Sequence, residues 1–205
     1  MPAQALPHNS SSLVLVTGPS RSGKSEWAEA LARQRGEPVV YVATAQRSPN
    51  DREWQTRLAA HRRRRPAHWR TLEVPIHLTE AISTPGQAGD CWLVDSLGTW
   101  LANCLDQSEA EWQQTQDQFL QALQARRRPM IVVAEETGWG VVPAYPAGRQ
   151  FRDRLGTLTR AVGAIADQVY LAVAGYAIDL KAQGSPIPPS PPSPSEEVPF
   201  QATQD

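Results

Sequence analysis

The chain has 205 residues, with 20 basic and 21 acidic side chains and a formal charge of −1, so no field of the whole molecule draws it onto nucleic acid or an anionic membrane. No run approaches the ~18 apolar residues of a membrane span, and the first dozen residues, MPAQALPHNSSS, lack the basic and apolar regions of a signal peptide. Cys91 and Cys104, the two cysteines, form neither a metal-ligand pattern nor a disulfide framework, which points to reduced thiols and a cytoplasmic protein.

Residues 1–12 read as a flexible N-terminus, and Leu13 to Thr17 as the first buried strand. A helix follows over Lys24 to Arg35, then a strand over Pro38 to Ala43. A second helix is expected over Asn50 to Arg63, with Ser48 as its N-cap and Pro49 in the first turn. Further strands are predicted over Cys91 to Asp95, Met130 to Ala134 and Gln168 to Ala174. Helical patterns lie between them at Leu97 to Leu105, Glu111 to Arg127 and Gly148 to Ala166. The strands are rich in Val, Ile and Leu with little polar alternation, as expected of a parallel sheet covered on both faces. The alternation of strand and helix predicts one α/β domain, residues 13–181, with a mostly parallel sheet and right-handed crossovers. Seven of the 18 prolines fall in residues 186–205, so residues 182–205 read as a proline-rich, disordered tail.

Gly18-Pro19-Ser20-Arg21-Ser22-Gly23-Lys24-Ser25 fits the phosphate-loop pattern G-x-x-x-x-G-K-[ST], between a predicted strand and a predicted helix. Each part has a reason. Gly18 and Gly23 allow the backbone angles that turn successive N–H groups toward one centre. The helix opening after Gly23 adds its positive end. Lys24 would carry an ammonium to the β- and γ-phosphates, and Ser25 a hydroxyl to Mg²⁺. Lys24 is also one of only two lysines, the other being Lys181, beside 18 arginines. Asp95, closing a strand, is the candidate second acid for the metal. Glu135 and Glu136 end the next strand, as supporting acids or as solvated loop residues.

From Trp54 to Leu72 there is no acid but there are six arginines: Arg57, Arg62, Arg63, Arg64, Arg65 and Arg70. Among them lies His61, on one helical face with Trp54 and Leu58. Three readings stay open at this level. His61 is a packed histidine beside a solvated basic face; or the run is a phosphate footprint for nucleic acid. In the third, arginines hold a polyphosphate and favour a neutral, nucleophilic imidazole.

A series of motifs in order adds a resemblance. It comprises the phosphate loop with Arg21-Ser22 before its second glycine, Tyr41-Val42-Ala43-Thr44, and Asp51-x-Glu53 with Arg57-x-x-x-His61. His61-x-x-x-Arg65-Pro66-x-x-Trp69-x-Thr71-x-Glu73, Val94-Asp95 and Trp100-x-x-Asn103 follow. Glu136-x-Gly138-x-Gly140-x-Val142-Pro143 and Arg149-x-Phe151-Arg152-Asp153-x-x-Gly156 complete it. From Leu13 to Lys181 the chain resembles the bifunctional adenosylcobinamide kinase / adenosylcobinamide-phosphate guanylyltransferases of cobalamin biosynthesis.

The resemblance implies a RecA-like P-loop NTPase fold, a trimer, and two reactions. A nucleoside triphosphate, ATP or GTP, phosphorylates adenosylcobinamide; GTP then guanylylates His61, and the GMP passes to adenosylcobinamide phosphate. It places Ala43, Thr44, Ala45, Arg62, Arg63, Arg64, Arg65, Glu73 and Asp95 at the guanine nucleotide. It departs from the family at Pro19, where glycine is frequent, and at Ser96 and Gly98, where cysteine and threonine are common. Thr159-Arg160 likewise stand in place of asparagine and glutamine. The rival readings are a P-loop kinase of another small alcohol and a non-enzymatic P-loop protein gripping nucleic acid.

Overall fold

The computed structural model describes residues 11–36, 38–46, 50–85 and 89–188. The expectations for Ser48 and Pro49, for residues 1–10 and for tail residues 189–205 fall outside them. In chain order the elements are β1 (Leu13–Gly18), α1 (Lys24–Gln34), β2 (Val39–Ala43), α2 (Arg52–Arg64), β3 (Arg70–Glu73), α3 (Leu78–Ser83) and β4 (Cys91–Asp95). They continue with α4 (Leu97–Asn103), α5 (Glu109–Gln124), β5 (Met130–Glu135), α6 (Pro146–Ile165), β6 (Gln168–Val173), β7 (Tyr176–Asp179) and α7 (Leu180–Gln183). The strands form one sheet in the order β3-β2-β4-β5-β1-β6-β7, parallel except for the last pair.

The strand sequences explain why both faces are covered. Successive side chains point to opposite faces. Leu13, Leu15, Val40, Val42, Trp92, Val94, Met130 and Val132 pack into one apolar core. Their alternates Val14, Val16, Val39, Tyr41, Cys91, Leu93, Ile131 and Val133 pack into the other. The first core takes its helical side from α3, α4, α5 and α6, through Leu78, Trp100, Phe119, Leu158 and their neighbours. The second takes it from α1, through Ala28, Leu31 and Ala32. A strand apolar at every position is therefore the correct pattern here, not an alternating one.

Two four-residue strands are too short or too polar to be read from pattern. β3 (RTLE) is a mostly exposed edge strand paired parallel to β2. β7 closes a hairpin on β6, with Ala174 at φ 51° and Gly175 at φ 81° supplying the two positive-φ turn positions that a tight antiparallel connection needs. Three helix starts also differ from expectation, α6 beginning at Pro146 rather than Gly148. The second helix begins at Arg52, because the Asp51 side chain accepts from the Trp54 N–H at 2.9 Å, the bond that defines an N-cap. α5 begins at Glu109, where Ser108 and Glu111 form a reciprocal capping box.

Trp100 is one of three buried tryptophans in the first core. Its ring lies 5.8 Å from Trp112 and 4.7 Å from Phe119, and its indole N–H donates to the Ile76 carbonyl at 2.8 Å. Trp100→Ala is expected to cost about 3–5 kcal/mol, read as a lowered urea midpoint; a loss under ~1 kcal/mol would contradict this packing role.

Candidate functional site

The parallel strands bring their carboxyl ends to one edge. The register sets Glu73 beside Ala43, Ala43 beside Asp95 and Gly18 beside Glu135, so residues far apart in sequence form one row. β5 separates β1, which carries the phosphate loop, from β4, which carries Asp95. Ligands of open α/β sheets bind at this edge.

The phosphate loop is shaped to receive an anion. A Cβ at Gly18 would collide with the Ala172 carbonyl of β6 and sit 2.7 Å from the Ser22 hydroxyl, which explains the first glycine. Gly23, at φ 91°, is the N-cap of α1, and no side chain caps that helix. Its first N–H groups therefore remain for a ligand. The Ser22 N–H and the Lys24 ammonium both reach the Pro19 carbonyl at 3.3 Å, folding the loop back on itself. Pro19 thus serves as an acceptor where it has no N–H to give. Lys24 and Ser25 are buried, Ser20 and Arg21 are exposed, and the buried Ser22 hydroxyl has no partner among the described residues. Glu136 braces the loop from beneath: its carboxylate accepts from the Thr17 hydroxyl at 2.8 Å, and its N–H donates to the Gly18 carbonyl at 2.9 Å.

Asp95 is the meeting point of three elements. The Tyr41 phenol of β2 donates to its Oδ2 at 2.6 Å, and His61 Nδ1 of α2 lies 3.9 Å from the same oxygen. Burial, and then the Asp95 charge, push the Tyr41 phenol well above its usual range, so it stays protonated as a donor. The Arg65 guanidinium lies 3.4 Å over the Tyr41 ring, a cation–π contact. The sheet edge therefore brings His61 to the acid beside the phosphate loop, although His61 lies 36 to 43 residues beyond that loop in sequence.

The arginine run is not a row of free cations. Arg62 pairs with Glu73 at 2.9 Å. Arg64 pairs with Glu26, and with the buried Glu29 at 3.4 Å. Arg33 binds Glu29 at 3.4 Å and donates to the Arg64 carbonyl at 3.1 Å. Arg64 also faces His61 Nδ1 at 3.3 Å. These bonds clamp the end of α2 onto α1, the helix that opens from the phosphate loop. Burial raises the Glu29 carboxyl, against the opposing charges of Arg64 and Arg33. Arg63 is exposed. Arg62, Arg65, Pro66, Trp69, Thr71 and Glu73 line a groove of about 400 Å³ beside these residues.

Ala43, Thr44 and Ala45 leave β2 at the same edge. The Thr44 hydroxyl is tied to Ser96, accepting from its N–H at 2.8 Å and donating to its carbonyl at 2.7 Å. Asn103 donates to the Thr44 and Pro75 carbonyls, each at 2.8 Å. Glu135 resolves as a structural acid: it accepts from the Ser96 hydroxyl at 2.6 Å and the Gly98 N–H at 2.9 Å. A Cβ on Gly98 would collide with that carboxylate. Two of the departures from the resembled family, Ser96 and Gly98, thus hold one acid between them.

The site residues missed from sequence are Tyr41 as the holder of Asp95, and Glu26, Glu29 and Arg33 as the clamp on α2. Only the Glu29–Arg33 pair had a local signal, the i,i+4 spacing; the others meet only through the sheet.

Two outcomes follow from these contacts. Burial, the largest influence, raises the Glu135 carboxyl above its ordinary range, while the Ser96 bond and the Lys24 charge oppose this. The folded chain then keeps that proton to higher pH than the unfolded chain. Stability from Glu135 is therefore present below the unfolded value near ~4.3 and declines as pH rises through the folded one. Glu135→Gln should flatten this decline in urea midpoints measured from pH 4 to 7; an unchanged slope rejects it. Replacing Glu26 and Glu29 together by glutamine should release α2. Acylation of His61 by diethyl pyrocarbonate should then quicken about two- to fivefold, the scale of a partly exposed ion pair, whereas an unchanged rate means no clamp.

Comparison with known proteins identifies the family. The CobU family, described as cobinamide kinase / cobinamide phosphate guanyltransferase, matches residues 14–180. The bifunctional adenosylcobalamin biosynthesis protein CobP of Pseudomonas aeruginosa is 41% identical over 176 residues, covering 84% of this chain and 98% of its own. The CobU protein of Escherichia coli, described in the same words, is 36% identical over 183 residues, covering 82% and 99%. Among solved structures, the PH0250 protein of Pyrococcus horikoshii OT3 overlays with a TM-score of 0.52 at 11% identity, covering 84% of this chain and 87% of that one; it bears on fold alone. With the phosphate-loop strand and the acid strand separated by β5, the fold is that of a RecA-like P-loop NTPase, and the chain belongs to the cobinamide kinase / cobinamide phosphate guanyltransferase family of transferases.

Proposed function

We propose that residues 13–181 phosphorylate adenosylcobinamide and then transfer GMP from GTP to adenosylcobinamide phosphate through a guanylylated His61. The observation that carries this is the 3.9 Å approach of His61 Nδ1 to Asp95 at the edge that holds the phosphate loop. A histidine kept only for packing has no need of that position.

In the first reaction the substrate hydroxyl oxygen attacks the γ-phosphorus of a nucleoside triphosphate. The bond to the β-phosphate oxygen breaks, the nucleoside diphosphate leaves and the hydroxyl proton is lost. Lys24, the uncapped N–H groups of α1 and the Ser22 hydroxyl supply positioning and fixed positive potential, the main sources of rate in phosphoryl transfer. In the second, an imidazole nitrogen of His61 attacks the α-phosphorus of GTP and pyrophosphate leaves. A phosphate oxygen of adenosylcobinamide phosphate then displaces the imidazole, breaking the P–N bond and giving adenosylcobinamide-GDP. Two displacements on one covalent enzyme predict ping-pong kinetics. Arg62, Arg65 and Glu73, on the groove beside His61, are assigned to the guanine nucleotide with Ala43, Thr44, Ala45, Arg63 and Arg64.

The donor set suits magnesium. Among the described residues no three His, Cys, Asp or Glu side chains cluster into an all-protein cage, whereas the Ser25 hydroxyl and the Asp95 carboxylate are oxygen donors of the kind that complete the shell of a phosphate-bound Mg²⁺. Mg²⁺ held there would neutralise charge on the transferred phosphoryl group. Among the described residues no helix is long and apolar enough to cross a membrane. Cytoplasmic location and a homotrimer accord with the reading. Residues 182–205 fall outside it, and the partners are nucleotide and corrinoid, without nucleic acid.

The test is labelling. GTP carrying an α-phosphate label should leave an acid-labile, base-stable adduct on the chain. His61→Ala should abolish that adduct while phosphoryl transfer to adenosylcobinamide continues. Lys24→Met should instead slow phosphoryl transfer about a hundredfold or more. Labelling that survives His61→Ala defeats the assignment.

A further inference from the structure

Beyond the nucleotide site, one surface next to it is built and unused. Between β5 and α6, Trp139, Val141, Val142 and Tyr145 are 60%, 94%, 59% and 79% exposed. None of the four belongs to either apolar core. Four large apolar side chains laid open within seven residues are unusual on a surface with no partner to bind.

The loop that carries them is held at both ends. At its start, Glu136 is tied to Thr17 and Gly18 beneath the phosphate loop. At its finish, Arg149 donates to the Pro143 and Ala144 carbonyls at 3.0 and 2.7 Å. A Cβ on Gly148 would lie 2.8 Å from Pro143, so a bare glycine lets the loop close on α6. Tyr145 is the N-cap of α6 and accepts from the Gly148 and Arg149 N–H groups. The exposed residues are thus presented on a fixed frame, which lowers the ordering cost of binding.

Topology says what would lie there. β5 runs between β1 and β4, so the chain leaving it emerges between the phosphate loop and Asp95. An acceptor that attacks a γ-phosphate must approach over that gap, and its bulk must rest on whatever borders it. For a cobinamide that bulk is a macrocycle with broad apolar faces and a fringe of amides. Trp139 and Tyr145 offer flat apolar bodies with a polar tip, a match to both features.

We propose that residues 138–145 form the docking surface for the corrin ring of the acceptor, with Trp139 and Tyr145 as its main contacts. This rests on the acceptor assigned above. The ring lies against the loop, and its hydroxyl-bearing arm extends to the phosphate loop.

The experiment uses the full chain and adenosylcobinamide as the probe. Trp139→Ala with Tyr145→Ala should weaken adenosylcobinamide binding, measured by calorimetry, about tenfold or more. The loss should be selective: the KM for GTP in His61 labelling without corrinoid should move less than about twofold, a split that general misfolding would not give. Trp139→Phe, which keeps an aromatic face, should retain most of the affinity. Corrinoid affinity within about twofold of the unaltered chain overturns the proposal. So does a fall in sedimented mass with affinity per chain unchanged, which would assign the surface to a second copy. Failure of the unaltered chain to bind adenosylcobinamide at all overturns the acceptor assignment as well, and so separates that failure from failure of the loop.

Discussion

The Asp95 carboxylate organises the site, because it must be satisfied at the end of a buried strand. β4 is apolar up to Val94, and a carboxylate placed after such a strand needs donors within reach. Tyr41 supplies one from the adjacent strand at 2.6 Å, and His61 approaches the same oxygen from α2. Tyr41 in turn lies beneath Arg65, which ends the same helix that carries His61. The acid, the histidine and part of the arginine run therefore form one connected set. A change at any member is transmitted to the others through short, directional contacts.

A second connected set fixes where that edge lies. Glu135 ends β5 and takes the Ser96 hydroxyl and the Gly98 N–H, while Glu136 takes Thr17 and Gly18. Two consecutive acids, the last residue of β5 and the one after it, thus tether the chain on either side, α4 through Glu135 and the phosphate loop through Glu136. The absence of a side chain at Gly98 makes room for the first of these carboxylates. Ser96, Gly98 and Glu135 therefore act as one packed unit, since a larger residue at 98 and the carboxylate would compete for the same volume.

Much of the scaffold was legible without coordinates. The five central and flanking strands with apolar runs were found within one residue at each end. A buried parallel strand must be apolar on both faces, and few other segments of four to six residues are. The phosphate loop was legible because its two glycines answer to backbone constraints that act locally. β3 was not legible, since RTLE at a sheet edge is held by its ladder to β2 rather than by burial. Nor was β7, a four-residue edge strand that exists only as the return of a hairpin. The start of α2 falls at Arg52 rather than Asn50 because the Asp51 side chain caps the Trp54 N–H, a choice among several residues with capping chemistry that the local sequence does not make. The Ser108-x-x-Glu111 box was available and would have placed the start of α5.

By itself the sequence determined that this chain is an α/β phosphate binder with an arginine-rich, histidine-bearing segment, because glycine geometry, strand hydrophobicity and residue order are local properties. The ordered motifs carried the family. Tertiary structure decided what local chemistry cannot express. Sheet register brings Asp95 and Tyr41 together, the docking of α2 brings His61 to them, and paired charges between α1 and α2 convert a run of arginines into a clamp. The physical reason is range. A cap or a tight turn is settled within four residues, whereas the partner of a buried carboxylate is whichever donor the fold brings within hydrogen-bond distance, here 54 residues away for Tyr41.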